Sequence, residues 1–84
     1  MTPARTYDDY LEDILDAAEK AMEFTQGLTR EQFIQDDKTA FAVVRALEII
    51  GEATKQIPQS VRDRYPDVPW REMALMPVVS LMTM

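Results

Sequence analysis

The sequence has no histidine and no cysteine. Without histidine it lacks the commonest general acid/base and the commonest ligand for transition metals. Without cysteine it can form neither a disulfide nor a thiolate metal site. Its two glycines are too few for a glycine-rich phosphate loop, and no serine or threonine has a histidine to activate it. We therefore predict no catalytic residue, no bound cofactor and no metal site from these counts.

Long apolar runs are also missing. The first residues lack the apolar core of a signal peptide, and no window approaches the roughly 20 apolar residues of a membrane span. We expect a cytoplasmic protein that does not enter a membrane. The net charge of −6 argues against non-specific nucleic-acid binding by the whole surface, and we predict no DNA partner. A local basic site on this acidic body stays open.

The 84 residues are enough for one small domain, which we place at residues 1–84. The composition is 46% hydrophobic and 29% charged, which is typical of a globular chain rather than a disordered one. A chain this short buries only a modest core. Association with a partner is therefore expected before any motif is considered.

The stretch from Thr39 to Pro58 predicts a central helix. Its four charged residues fall on one narrow stripe, and most of the remaining circumference is apolar, whereas a surface helix has a single apolar face. We expect the other helices to surround it. Gly51 costs about 1 kcal/mol relative to alanine inside a helix, so a packing reason is expected for it. Pro58 should stop the helix.

Capping patterns set the limits of the preceding helices. Thr6 begins a capping box and should start a helix that runs to about Gln26, with Gly27 as its C-terminal stop. Residues 1–5 are expected to be a disordered lead. The apolar spacing places one face of this helix on the core. That face comprises Tyr7, Leu11, Ile14, Leu15, Ala18, Met22 and Thr25.

Thr29 begins a second capping box, which should start a short helix that brings Phe33 and Ile34 to the core. Asp36 or Asp37 then caps the central helix. Since the connection between the two long helices is short, we expect them to be antiparallel neighbours.

After Pro58 the pattern changes. Residues 59–65 predict one or two helical turns that direct Val61 and Tyr65 inward. Pro69 suits the first turn of a further helix, and Pro77 should interrupt it. The buried side of that helix should carry Trp70, Met73, Ala74 and Met76.

Two groups of charged residues are candidates for chemistry. Glu48 and Glu52, four residues apart on a helix, could bind a divalent metal or transfer protons. We interpret them instead as part of a solvated or interface stripe, because Arg45 and Lys55 offset their repulsion. The second group, Arg62, Arg64 and Arg71, could contact phosphate, but acidic residues are interleaved with it, and we interpret these arginines as surface residues.

The aromatic residues and the methionines are interpreted as structural residues. Tyr7, Tyr10, Tyr65 and Trp70 could stack on nucleobases, but we interpret them as core or rim residues. The six methionines are interpreted as residues that fill gaps in the core or lie at interfaces. From the residues alone the chain is a helical module with an acidic surface.

Three stretches together resemble the HepT-like family of the helical HEPN superfamily. They are YLEDILDAAEKAMEFTQGLTREQF, VVRALEIIGEATKQIPQSVRDRYPDVPW and WREMALM. The resemblance covers about residues 7–76, and Ala46 departs from it where family members often carry asparagine. It implies an all-α, antiparallel, up-down helical bundle that forms a homodimer. It also implies the toxin role in a type VII (HepT/MNT) toxin–antitoxin system.

In this family two copies of an R-x(4–6)-H motif meet at the dimer cleft and cleave RNA without metal. The arginine stabilises the phosphate charge and the histidine acts as acid/base. A minimal nucleotidyltransferase antitoxin silences the toxin by transferring AMP to a tyrosine just after that histidine. The resemblance therefore implies three partners: RNA, a second copy and the nucleotidyltransferase.

This sequence departs from the family after Met76. The motif arginine, histidine and tyrosine are absent, and residues 77–84 (PVVSLMTM) stand in their place. We carry over no catalytic residue, and neither Arg45 nor Glu48 is given a catalytic role. The C-terminal helix is expected to be missing or truncated, which would leave part of the core face uncovered and favour association.

Two hypotheses follow from this departure. Indels near codons 77 and 81 could have shifted a family gene out of frame, because an out-of-frame His-Asp-Tyr can read as Met82-Thr83-Met84. The chain would then be an inactive member of a ribonuclease family. The alternative is a non-enzymatic helical module that dimerises or binds the antitoxin. A third interpretation is a free-standing four-helix structural protein with no partner of that system.

Overall fold

A computed structural model describes residues 5–76, and five α-helices account for most of that range. They are α1 (Tyr7–Thr25), α2 (Arg30–Gln35), α3 (Asp37–Lys55), α4 (Gln59–Arg64) and α5 (Trp70–Ala74). The described residues contain no β-strand, which confirms the prediction of an all-α fold. The expected interruption at Pro77 and the tail 77–84 lie outside the described residues.

The helix limits follow from the predicted caps. The Asp9 carboxylate accepts a hydrogen bond from the Thr6 amide at 3.0 Å, which closes the start of α1. The reciprocal box of Thr29 and Gln32 opens α2, with bonds of 2.9 and 3.1 Å. Asp36 caps α3. After α1 the chain reverses at Gly27, whose φ of +79° lies in the left-handed region that glycine adopts readily.

The core lies between the two long helices, which run antiparallel. Tyr10, early in α1, lines the same cleft as Gln56 at the end of α3, while Phe24, late in α1, and Ala42, early in α3, line a second cleft. Small residues bring the two helices close together, because Ala17 and Ala46 are almost fully buried. Ile14, Ala18, Ala21, Leu47 and Ile49 pack around them.

The C-terminal half of α3 is its most buried part. Ile50, Gly51, Ala53 and Thr54 are all buried there. Gly51 has the packing reason that its sequence context predicted. A Cβ atom at this position would overlap the Met76 carbonyl group, which follows α5, so the absence of a side chain lets that backbone lie directly on α3.

The end of α3 is closed by Arg62 from α4. Its guanidinium donates to the carbonyl oxygen of Thr54 at 2.8 Å and to that of Ile57 at 3.1 Å. The last carbonyls of a helix have no partner inside the helix, and a cation near them also opposes the helix dipole. Arg62 therefore fixes α4 to α3, next to the buried side chains of Ile57 and Val61.

Several residues predicted in the core are exposed instead. On α1 the packed side is the alanine-rich one, which leaves Leu15 60% and Met22 65% exposed, with Tyr7 at the margin. Ile34 is 64% exposed because it directly follows Phe33, and neighbouring residues on a helix point about 100° apart, so the two cannot face the core together. Tyr65 follows the last turn of α4 and is also exposed, so its predicted inward position is wrong.

The remaining core predictions agree with the structure. Val61 is buried, and Trp70, Met73, Ala74 and Met76 are half-buried along α5 and its end. Among the helices of residues 5–76, none combines the length and the apolar character that a bilayer-crossing segment needs.

Candidate functional site

The candidate site is a groove between α1 and α3, on the side of the helix pair where residues of both helices leave two open clefts. The first cleft has a volume of about 410 Å³. It is lined by Arg5, Tyr10, Asp13, Arg45, Ile49, Glu52, Ala53 and Gln56. The lining combines apolar and charged residues because of how the helices pack. Ile49 and Ala53 form the floor of the cleft, and charged side chains form its rim.

Arg5 forms one wall of this first cleft. Its guanidinium makes an ion pair with Asp13 at 2.8 Å and lies 4.6 Å from the centre of the Tyr10 ring. The hydrogen bond with Asp13 raises the pKa of Arg5 above its usual value. Both side chains of the pair are partly exposed, so its contribution to stability is small. The prediction of a disordered lead is wrong for Arg5, while residues 1–4 lie outside the described range.

Arg45 stands where the first cleft meets a second one, and it lines both. The second cleft measures about 300 Å³ and is more apolar. It is lined by Asp16, Ala17, Lys20, Phe24, Ala42, Arg45, Ala46 and Ile49. Within residues 5–76 the ion pairs are Arg5–Asp13 and Lys20–Asp16, so Arg45 is in none of them.

The charged stripe of α3 borders the first cleft through Arg45 and Glu52. Glu52 is exposed and Glu48 is half-buried. Over the described residues no three side chains of the metal-binding types come together to hold an ion. Arg45 and Arg5 can oppose the negative charge of a phosphate or carboxylate in the groove. Neither can exchange a proton near neutral pH, because a guanidinium stays charged.

The basic group of Arg62, Arg64 and Arg71 is not a single site. Arg62 is partly buried against the end of α3, so its interpretation as a surface residue is wrong. Arg64 and Arg71 are exposed, as expected. Trp70 donates its indole N–H to the Tyr65 carbonyl oxygen at 3.0 Å, which makes it a rim residue that fixes the α4–α5 connection.

Sequence reasoning missed the contribution of Arg5 and Asp13 to the groove. Two residues eight positions apart are separated by about two helical turns, and that spacing is a weak signal for a contact. Only the start of α1 at Tyr7, which leaves Arg5 free to fold back along the helix, makes the ion pair possible.

Comparison with known proteins gives one family match. The family model described as "Ribonuclease HepT-like" matches residues 14–76. A protein of Thermococcus cleftensis named "Probable ribonuclease HepT" is 56% identical over 72 residues, which are 86% of this chain and 66% of that protein. A Methanocaldococcus jannaschii protein named "Putative RNase MJ0127" is 42% identical over 72 residues, or 86% of this chain and 60% of that protein.

The similarity to these relatives covers only part of their length. The chain spans about three fifths to two thirds of the length of these curated relatives. The family match ends at Met76, which is also the last described residue. No solved structure matches the chain.

Proposed function

Because the chain belongs to the HepT-like ribonuclease family, we propose that it carries the helical scaffold of a metal-independent ribonuclease toxin. The observation that carries this proposal is the family match over residues 14–76. In this proposal the scaffold forms a homodimer, its substrate class is RNA rather than DNA, and a nucleotidyltransferase antitoxin restrains it.

The proposal has a second part: the 84-residue polypeptide alone does not cleave RNA. The chemistry implied by the family needs a histidine to move a proton, and this sequence has none. Loss of general acid/base help costs about 10²–10⁴-fold in rate. The arginines of the chain cannot replace the histidine as a proton carrier, because a guanidinium stays charged.

An RNA-cleavage assay in EDTA tests both parts. The 84-residue chain is incubated with tRNA and with mRNA, beside duplex DNA and beside the full-length Thermococcus relative. We expect the relative to cleave RNA in EDTA and the 84-residue chain to leave all three nucleic acids intact. RNA cleavage that co-purifies with the 84-residue chain through successive chromatography columns would contradict the second part.

A second candidate function is a non-enzymatic module that binds the antitoxin. The absence of histidine favours it, because binding needs only the scaffold and its surfaces. A nucleotidyltransferase of the antitoxin class is mixed with the tagged chain and the complex is isolated. A stoichiometric complex without RNA cleavage would support the module. If no complex forms and RNA is cleaved, the module is excluded.

A further inference from the structure

One side of α3 carries a row of residues that we call the α3 stripe. It consists of Phe41, Arg45, Glu48, Glu52 and Lys55, spaced four, three, four and three residues apart. At 3.6 residues per turn this spacing keeps all five on one side of the helix. None of them is fully buried, and Phe41 is 72% exposed.

Two features of the α3 stripe are left unexplained by the fold. A phenylalanine stands in an otherwise charged row, more exposed than any other large apolar side chain in the described residues. Arg45 and Glu52 border the 410 Å³ cleft, and no side chain of the described residues fills it. One exposed apolar residue is normal on a protein surface. Phe41 and the open cleft border the same stripe, so a second copy of the chain meets both an apolar side chain and a space that can receive one.

We propose that the α3 stripe binds the α3 stripe of a second copy, with the two helices antiparallel across a two-fold axis and Arg45 opposite the partner's Glu52. This inference rests on the homodimer of the proposed function and names its surface. A two-fold interface uses the same patch on both subunits, so each contact occurs twice. One Arg45–Glu52 pairing therefore gives two ion pairs in the dimer.

The order of charges excludes the pairing centred on the row and is compatible with this register. Along the helix the stripe reads plus, minus, minus, plus, from Arg45 through Glu48 and Glu52 to Lys55. A pairing centred on the row would set Arg45 against the partner's Lys55 and Glu48 against the partner's Glu52, which places like charges together. Like charges at an interface cost free energy. A shift of three residues replaces these contacts with Arg45 opposite the partner's Glu52.

The same register gives Phe41 a place to bind. Phe41 precedes Arg45 by four residues, and Gln56 follows Glu52 by four residues, so each offset is about 6 Å along the helix axis. When Arg45 lies opposite the partner's Glu52, Phe41 lies opposite the partner's Gln56. Gln56 lines the 410 Å³ cleft, whose floor is Ile49 and Ala53. The Phe41 side chain of each copy therefore occupies the open cleft of the other copy in the dimer.

Sedimentation equilibrium of the 84-residue chain tests the proposal through charge reversal. We expect the wild type to dimerise, and Arg45→Glu and Glu52→Arg each to raise the dimer dissociation constant by about tenfold or more. The double variant restores the two pairs with reversed signs, so its dissociation constant should return to within about threefold of wild type. Phe41→Ala should also weaken the dimer by about tenfold.

Matched variants separate this surface from general effects of charge and apolar area. Arg64→Glu and Glu12→Arg reverse exposed charges outside the α3 stripe, and Met22→Ala removes an exposed apolar side chain from α1. These three should leave the dissociation constant unchanged, and the helical circular dichroism of every variant should match the wild type.

The outcomes also separate this inference from the family proposal. A monomeric wild type would overturn the inference. A dimer that Arg45→Glu does not weaken, or a double variant no tighter than the single ones, would overturn the named surface while leaving a homodimer in place. The RNA-cleavage assay is read independently of either result.

Discussion

Replacing Gly51 with alanine tests how closely α5 approaches α3. The new Cβ atom would overlap the Met76 carbonyl oxygen, lie 2.8 Å from the Met76 carbonyl carbon and lie 3.5 Å from the Met73 carbonyl oxygen. These are backbone atoms, which cannot move away by a change of rotamer. The segment from Met73 to Met76 must therefore shift away from α3.

The expected change in stability combines two opposing effects. Glycine to alanine inside a helix gains about 1 kcal/mol, because alanine loses less backbone entropy on folding. Overpacking a closely packed contact costs about 1–3 kcal/mol, and a clash with backbone lies at the upper end. The net expectation is a loss of about 2 kcal/mol in the free energy of unfolding. For a domain of this size that lowers Tm by about 8–16 °C.

Denaturant unfolding followed by two signals measures this change. Circular dichroism reports on all five helices, whereas the fluorescence of Trp70, the only tryptophan, reports on α5. Gly51→Ala should lower the midpoint of both signals and shift the Trp70 emission of the folded state. Gly27→Ala is the control, because its Cβ meets nothing within 4 Å and its cost of about 1 kcal/mol comes from the positive φ alone. A stabilised Gly51→Ala protein with unchanged Trp70 emission would refute the close approach of α5.

Three further predictions concern single hydrogen-bonding residues, each measured by denaturant unfolding. Arg62→Ala removes charge-assisted bonds to the Thr54 carbonyl, in the last turn of α3, and to the Ile57 carbonyl just after it, and should cost about 2 kcal/mol. Arg64→Ala should change stability by less than about 0.5 kcal/mol, and equal effects would contradict the capping role of Arg62. Thr54→Val removes the buried 2.6 Å bond from its hydroxyl to a helix carbonyl and should cost about 1 kcal/mol, so an unchanged midpoint would show that this bond contributes nothing. Hydrogen bonds from the Thr39 side chain and amide lower the pKa of Asp36. The ionised Asp36 carboxylate therefore contributes its full stabilisation of the folded protein above about pH 4, and this contribution is lost as pH falls through the lowered folded-state pKa. Asp36→Asn should flatten this acid dependence, and an acid limb as steep as that of wild type would contradict it.

The helix limits were predictable because their signals are local. The hydroxyl and carboxylate of a capping box lie three residues apart, so Thr6 and Thr29 mark helix starts without reference to the rest of the chain. The same holds for Gly27, whose left-handed conformation follows from having no side chain. Gly51 was recognised as a packing residue, but its partner could not be identified, because a backbone carbonyl has no sequence signature.

The buried face of α1 was predicted only in part. The apolar spacing of the sequence is satisfied by a broad arc that includes Leu15 and Met22 as well as Ala18. Which edge of that arc packs depends on how closely α3 approaches, and the buried cluster of Ala17, Ala46 and Ile50 lies on the alanine-rich edge. Two alanines allow a close approach that larger side chains would prevent, so the larger apolar residues remain outside.

The candidate groove was also beyond sequence reasoning. Its residues come from opposite ends of α1 and α3 and meet only because these helices are antiparallel and closely packed. The stripe of Arg45, Glu48 and Glu52 was visible in the helical spacing. The sequence did not decide whether this stripe faces solvent or an interface with another molecule. The position of this stripe beside the open cleft favours its interpretation as an interface.

Hydrogen exchange of the backbone amides, measured residue by residue, tests the central role of α3 most directly. Amides of residues 46–54 lie where α1 and α5 cover α3, so we expect them to exchange most slowly, with protection close to the global free energy of unfolding. The first turns of α1 and the short helices α2 and α5 should exchange faster. If residues 46–54 exchange as fast as the ends of α1, α3 is not the helix around which this chain is organised.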